Sequence, residues 1–295
     1  MPSDTRYDYA MERRLRSMAP ELHKRFTDAV FGLQRILTRY QLLFPDFTDH
    51  TELHSLTVID FCNHLMGSQI EKLNPDELYT LLLGIYFHDC GMGISRSDYE
   101  EFSAAINFGD YFETHDQNDL PETIRSFHNE FSGQFILKYA DFFEIPSEAH
   151  LKAIVQISRG HRKTDLMDER EYPIAFPLPN GQTICLPYLS ALIRLSDEID
   201  VTAARNSPLL YDIASIHGVS FIEHKKHLAI RDMAITDDAF ILMVDTKDDS
   251  LVESIREMIV KMQKTLDDCR RAVLGRTPYV ITQERIELRR IGRDA

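Results

Sequence analysis

The chain has 295 residues, 43% of them hydrophobic and 27% charged, the balance of a soluble globular protein built as one large domain or as one domain with an extension. No apolar run is long enough to span a membrane and the opening MPSDTRYDYAMERRLR has no apolar signal core, so membrane and secretory classes are set aside in favour of a cytoplasmic protein. A formal charge of −14 argues against broad, non-specific nucleic-acid binding, and Cys62, Cys90, Cys185 and Cys269, with no CxxC pair, read as free thiols in a reducing compartment.

Residues 10–44 carry apolar positions Val30, Leu33, Ile36 and Leu37 at helical spacing, until Pro45 interrupts them. A helix over about 51–66 follows, with His54, Val58, Phe61, Cys62 and Leu65 on one stripe. Asn74-Pro75-Asp76-Glu77 is a strong helix start: a capping side chain, proline in the first turn and two acids at the positive end of the dipole. That helix runs through Leu78, Leu81, Leu82 and Ile85 into His88-Asp89, ahead of Gly91 and Gly93. Residues 94–120 are acidic and weakly patterned, an insertion with short helices. Pro121 opens a helix whose face is Ile124, Phe127, His128, Phe131 and Phe135, and another runs from about Ser147 toward His161. Asn180-Gly181 marks a tight turn between short extended runs, and Pro187 starts a helix bearing Leu189, Leu192, Ile193 and Asp197.

The pattern then changes. Residues 227–235 and 239–246 read as a hairpin around Asp237-Asp238, 248–274 as a long amphipathic helix, and 278–292 as a source of one more strand. The fold class expected is mainly α: an N-terminal helical segment (1–44) packing on the core, a helical domain (45–205) and a small α+β C-terminal extension (206–295). Charge is uneven across these parts. Twelve acids against Arg125 and Lys138 give residues 98–148 a net −10, read as a solvated face, whereas residues 251–295 carry a net +3.

The chemistry concentrates in His54, His88, Asp89, His128, His161 and Asp197, each expected on the inward side of a helix. Imidazole and carboxylate are the ligand set of transition metals, and six such groups can hold two ions if one carboxylate bridges. A lone histidine on an apolar face is most often a hydrogen-bonded core residue; six in register are harder to read that way. His50 falls one turn before His54 and is either near the metals or a loop residue. His115 reads as surface. Basic residues within a turn of the ligands are candidates for non-reacting phosphate oxygens: Arg125 and Lys163 first, then Arg159, Arg194 and Arg205, each weighed equally against a structural ion pair.

The order H…HD…H…H…D, with LLLGIYFHDCGMG (81–93) and PYLSALIRLSDEIDVTAAR (187–205), resembles the HD superfamily of metal-dependent phosphohydrolases. TDHTELHS (48–55), FHDCGMG (87–93), IRSFHNEFS (124–132) and LSDEID (195–200), followed by the β-rich C-terminal part, are most similar to the HD-CE group, in which an α/β extension follows the HD domain and often leads into a heat-shock-chaperone-type ATPase. The resemblance implies a first ion on His54, His88, Asp89 and Asp197, and a second on Asp89, His128 and His161. Such a site cleaves a phosphate ester, of a nucleotide or a nucleic-acid end, with a metal-activated hydroxide. Its imidazole content favours manganese, iron, cobalt, nickel or zinc, with magnesium still open. Met92 stands where the deoxynucleotide triphosphohydrolase branch has histidine, the cyclic-dinucleotide branch's Gly-Tyr-Pro loop is missing, and Gly160-His161 replaces the paired histidines of many binuclear branches. Substrate and ion count, one or two, therefore stay open. An HD-type di-iron oxygenase, a metal-dependent nuclease and a non-catalytic nucleotide-sensing or partner-binding module are the alternatives. The extension is expected to dock on the helical domain and to carry contacts for self-association or a protein partner.

Overall fold

Pro20 divides the N-terminal helical stretch into α1 (Ala10–Met18) and α2 (Pro20–Leu37), because a proline has no N–H for a continuous helix and suits a first turn. The computed structural model describes residues 9–203 and 218–291. After a 3-10 turn (Thr38–Leu42), the loop through Pro45 reaches α3 (Glu52–Met66), started by the Thr51 hydroxyl accepting from the Leu53 N–H.

Next is α4 (Pro75–Phe87), the central helix. Asn74 and Glu77 form a reciprocal capping box, which sets where it begins. What holds it is burial: Leu78, Leu81, Leu82, Leu83 and Ile85 are fully enclosed, so hydrophobicity wraps all round rather than along one stripe. At roughly 1.5–3 kcal/mol per such side chain, that burial far exceeds the ~1 kcal/mol typical of a cap. The N-terminal pair α1 and α2 lies against α4. Its C-terminus runs through His88-Asp89 into a 3-10 turn (Cys90–Gly93), and α5 (Arg96–Ser103) follows behind its own capping box from Ser95 and Asp98.

The acidic stretch then contributes only a short 3-10 turn (Tyr111–Glu113) before α6 (Leu120–Tyr139), which is interrupted by non-helical backbone at Phe127. Helix α7 (Glu148–Arg159) packs on α4 and α6. Strands β1 (Phe176–Pro177) and β2 (Thr183–Ile184) form a small antiparallel hairpin whose turn needs Gly181 at φ +82°. Helix α8 (Leu186–Ile199) completes the helical domain against α3, α4 and α7.

The C-terminal part contains α9 (Gly218–Ala229), an antiparallel pair β3 (Ile230–Ile235) and β4 (Ala239–Val244), the long α10 (Asp249–Val273), and β5 (Arg285–Arg290) parallel to β4, giving the order β3-β4-β5. It is no detached appendage. Helix α10 packs along α8, Tyr279 stacks on Tyr188 with ring centroids 4.1 Å apart, and the Tyr279 hydroxyl donates to the buried Glu77 carboxylate of the α4 capping box. His224 reaches the Asp46 carbonyl in the loop before α3. The mainly helical class with a small α+β extension is as expected; α9 was not anticipated, and the domain boundary at 205 falls outside the described residues. No described helix is long and apolar enough to cross a membrane.

Candidate metal centre

Four imidazoles and two carboxylates from five segments converge under the end of α4. Only His54 (α3), His128 (α6) and Asp197 (α8) lie within helices. His88 caps the C-terminus of α4, Asp89 opens the 3-10 turn beyond it, and His161 sits two residues past α7. The expectation that each ligand candidate sits on its own helix is therefore corrected. Positions just past a helix end release the backbone from helical geometry while keeping it anchored, and so can aim a side chain across the helix axis.

A shared device orients three of the rings. His88 Nδ1 lies 2.5 Å from the Ile85 carbonyl, His128 Nδ1 2.8 Å from Arg125, and His161 Nδ1 2.6 Å from Ser158, always three residues back. A carbonyl can only accept, so each Nδ1 carries the proton and each Nε2 lone pair points inward. His54 reaches the same state differently, with Nδ1 2.7 Å from Asp200 Oδ2. Asp200 was not singled out as a functional residue in the sequence. The signal was the three-residue spacing from Asp197, which puts the second carboxylate about one turn on, at the cap just past the end of α8.

The Nε2 atoms meet around Asp89. Asp89 Oδ2 stands 3.2 Å from His88 Nε2 and 3.6 Å from His54 Nε2, which are 3.2 Å from each other. Its other oxygen, Oδ1, stands 3.4 Å from His128 Nε2, which faces His161 Nε2 at 2.9 Å. Asp197 Oδ1 joins the first group at 3.2 Å from His54 Nε2 and 3.9 Å from His88 Nε2. The six residues named from the sequence are thus brought together. Two buried triads, His54-His88-Asp89 and Asp89-His128-His161, share Asp89 and could each hold a metal ion.

The separations fit a cation. Ligand bonds of about 2.1 Å imply ligand–ligand edges of about 3.0 Å in an octahedron and about 3.4 Å in a tetrahedron. The His54-His88-Asp89 edges of 3.2–3.6 Å and the His128 contacts of 2.9 and 3.4 Å to His161 and Asp89 lie close to that range, and all ligand atoms of each triad fall within 4.8 Å of one another. The alternative of hydrogen bonds fails for His128 and His161, because both Nε2 atoms are acceptors. Burial, then the Arg162 charge, holds His128 well below its ordinary range, and burial followed by the His88 charge brings His161 down to about 4. Two lone pairs 2.9 Å apart with no proton between them call for a positive ion. At the other triad, burial disfavours charge on His88 but the adjoining Asp89 outweighs it and raises the imidazole. A proton and a divalent cation compete there for one lone pair. Burial works against ionised Asp89 and Asp197, yet the facing histidines, His88 and His54 respectively, keep both carboxyls depressed. Asp89 Oδ2 is buried without a hydrogen-bond donor, as an oxygen reserved for a metal would be.

Close packing fixes this arrangement. The Ser132 hydroxyl donates to the His88 carbonyl and accepts from the Gly91 N–H, binding the His88–Gly91 turn to α6. A Cβ on Gly91 would stand 2.2 Å from the His128 carbonyl oxygen, so only glycine lets α6 bring His128 beside Asp89. Gly91→Ala is expected to cost about 1–3 kcal/mol in denaturant unfolding and to lower occupancy of the Asp89-His128-His161 triad more than that of the other. Wild-type stability and metal content would contradict that close approach. Asp200→Ala, which frees the His54 ring without touching the centre, is expected to weaken metal binding by roughly 10–100-fold in a still-folded chain. Metal titration of the stripped protein measures this, and unchanged affinity would remove Asp200 from the account.

His50 is brought near: its ring centroid is 5.7 Å from that of His54, and its Nδ1 meets the Thr48 carbonyl. His115 is exposed and stacks on Tyr111. Cys90 is buried against the Tyr86 carbonyl and its thiol is pushed up by burial, so it is no nucleophile. Arg125 is held in a two-point pair by Glu122, Lys163 donates to the Ser126 carbonyl, and Arg159 pairs with Glu130. Arg194 is a clamp: its guanidinium binds the Gly160 carbonyl and both oxygens of Thr164, fastening the His161 loop to the helix that carries Asp197. Arg205 lies outside the described residues.

Comparison with known proteins agrees with this geometry. Searches among curated proteins and among solved structures return no match. A family model, HD-CE, matches residues 44–278, spanning all six converging residues and most of the C-terminal extension. The chain belongs to the HD-CE family, an HD-type domain with a C-terminal extension.

Proposed function

We propose that the chain is a metal-dependent phosphohydrolase acting on a phosphate ester, of a nucleotide or of a nucleic-acid end. The observation that carries this reading is the sharing of Asp89 between two triads of inward-facing lone pairs. Divalent ions held by such groups supply positive charge for phosphoryl oxygens and lower the pKa of water enough to give a nucleophile at neutral pH.

The chain's own residues do the rest. Asp89 holds both half-sites in one register, and the backbone carbonyls of Ile85, Arg125 and Ser158 keep three imidazoles in the metal-binding tautomer. Asp197 is the most open of the six, with a quarter of its side chain exposed, which makes it the side from which substrate and water arrive. A cleft of about 250 Å³ lies between the loop before α3 and the start of α6, walled by Phe44, Phe47 and Pro121 and by Glu122 and Arg125, and because Arg125 stands one turn before His128 this cleft is the candidate seat for a leaving group. Arg125 and Lys163, already bonded to Glu122 and to the Ser126 carbonyl, add positive potential rather than direct contacts.

The test is elemental analysis of freshly purified protein, followed by phosphate release from a panel of nucleotides and phosphorylated oligonucleotides with manganese, iron, cobalt, nickel, zinc or magnesium. Phosphate release without oxygen uptake supports the proposal. Metal-loaded protein that consumes oxygen, or turns over no ester, overturns it.

A further inference from the structure

The basic side chains around the triads are nearly all committed: Arg125 to Glu122, Arg159 to Glu130, Lys163 to the Ser126 carbonyl, and Arg194 to Gly160 and Thr164. Arg162 is the exception. Half-buried and next to His161, its guanidinium makes no hydrogen bond or ion pair with any described residue. Yet its main chain is held. The Arg162 carbonyl accepts from Asn129 Nδ2 at 3.2 Å, its N–H approaches the Arg159 carbonyl at 3.4 Å, and Arg194 grips the residues on both sides.

Its charge is felt at His128 in one half-site and at Glu198, beside Asp197, in the other. A guanidinium whose main chain is anchored next to His161 opposes metal binding there by like-charge repulsion, and its partial burial costs solvation. Among the described residues no group bonds to it, and the Glu198 carboxyl, raised by burial and lowered by this charge, is only a through-space counter-charge. Both costs reverse once a dianion occupies the mouth of the site, and a guanidinium matches two phosphate oxygens with two parallel N–H bonds.

We infer that Arg162 is the phosphate-binding residue of this site, donating in two-point fashion to non-bridging oxygens of a phosphate monoester or of inorganic phosphate. The assignment rests on the phosphohydrolase reading for its setting but is tested apart from it. Inorganic phosphate is titrated calorimetrically into the full chain, manganese-loaded, as wild type, Arg162→Gln and Arg162→Lys, with metal content and circular dichroism measured on each. Phosphate affinity is expected to fall roughly 10–100-fold in Arg162→Gln at unchanged or higher metal content, and to recover partly in Arg162→Lys, which keeps the charge but not the fork. A residue that merely shaped the loop would lose metal as well and gain nothing from lysine. Equal phosphate affinity in wild type and Arg162→Gln, or no phosphate binding by the loaded wild type, overturns the inference. If Arg162→Gln fails to fold, Arg162→Lys decides: a several-fold loss with normal metal content supports the inference and wild-type affinity overturns it. Phosphate binding that depends on Arg162 in a protein that cleaves no ester keeps the assignment and removes the hydrolase.

Discussion

A chain carrying His88→Ala is expected to retain no tightly bound transition metal, and His128→Ala and His161→Ala to keep one ion each where the wild type is expected to hold two. His88 is central to the cluster. Its Nε2 is 3.2 Å from both His54 Nε2 and Asp89 Oδ2, and its ring packs edge-on against His161 with centroids 5.0 Å apart. Removing it leaves the first half-site one imidazole short and unseats the bridging carboxylate that the second half-site needs. The second triad has no further carboxylate, so loss of either of its histidines strands only its own ion. Elemental analysis after gel filtration reads the difference: occupancy below about 0.1 per chain for His88→Ala, against about one for the other two. Full metal retention in His88→Ala would refute the ligand assignment.

Asp89→Ala is expected to abolish turnover, by about a thousandfold or more, equivalent to about 4 kcal/mol in the barrier, while leaving the helical domain folded. The reasoning separates chemistry from packing. Asp89 caps no helix through its side chain, and its partners are the converging histidines His54, His88 and His128, so its loss falls on the centre and not on the packing between helices. Truncation does remove the carboxylate that the facing imidazoles hold depressed, so the metal-free fold loses the stability of that pairing. Thermal unfolding of the stripped variant should therefore remain cooperative at a modestly lower midpoint, with activity absent even where the chain is fully folded. Activity near wild type in a folded Asp89→Ala protein would end the hydrolase proposal; loss of activity in step with loss of stability would return Asp89 to a structural role.

Much of this was legible in the sequence because it rests on local chemistry. Asn74-Pro75-Asp76-Glu77 announces a capped helix whatever surrounds it, and the structure shows that capping box. Asn180-Gly181 requires positive φ, and Gly181 has it. The converging six were visible because histidine and aspartate interrupted otherwise apolar stripes. What was hidden depends on tertiary contact. The interruption at Phe127 leaves no breaker residue to read. His161 lies beyond its helix because the loop is tied down by Arg194, from a distant helix. The parallel pairing of β5 with β4 has no local signal, since strand residues do not announce a partner's direction. Arg162 was passed over in favour of Arg125 and Lys163, each within a turn of a ligand, and that both already hold partners is visible only in space.

The two half-sites differ in how far the chain must travel to build them. His54 and His88 are 34 residues apart and His128 and His161 are 33, but the hydrogen bond that orients His54 comes from Asp200, 146 residues away. For a flexible chain, closing the longer loop costs about 1.3 kcal/mol more than closing either short one. Three imidazoles take their ring orientation from a carbonyl three residues back, a local bond, although His161 also has its loop tied to α8 by Arg194. The fourth waits for α8 to dock on α3. In kinetic terms the site has an early part and a late part, with the last helix of the domain serving as the closing piece. Because α10 lies along that same helix, the step that completes the first half-site also creates the surface on which the C-terminal part is seated.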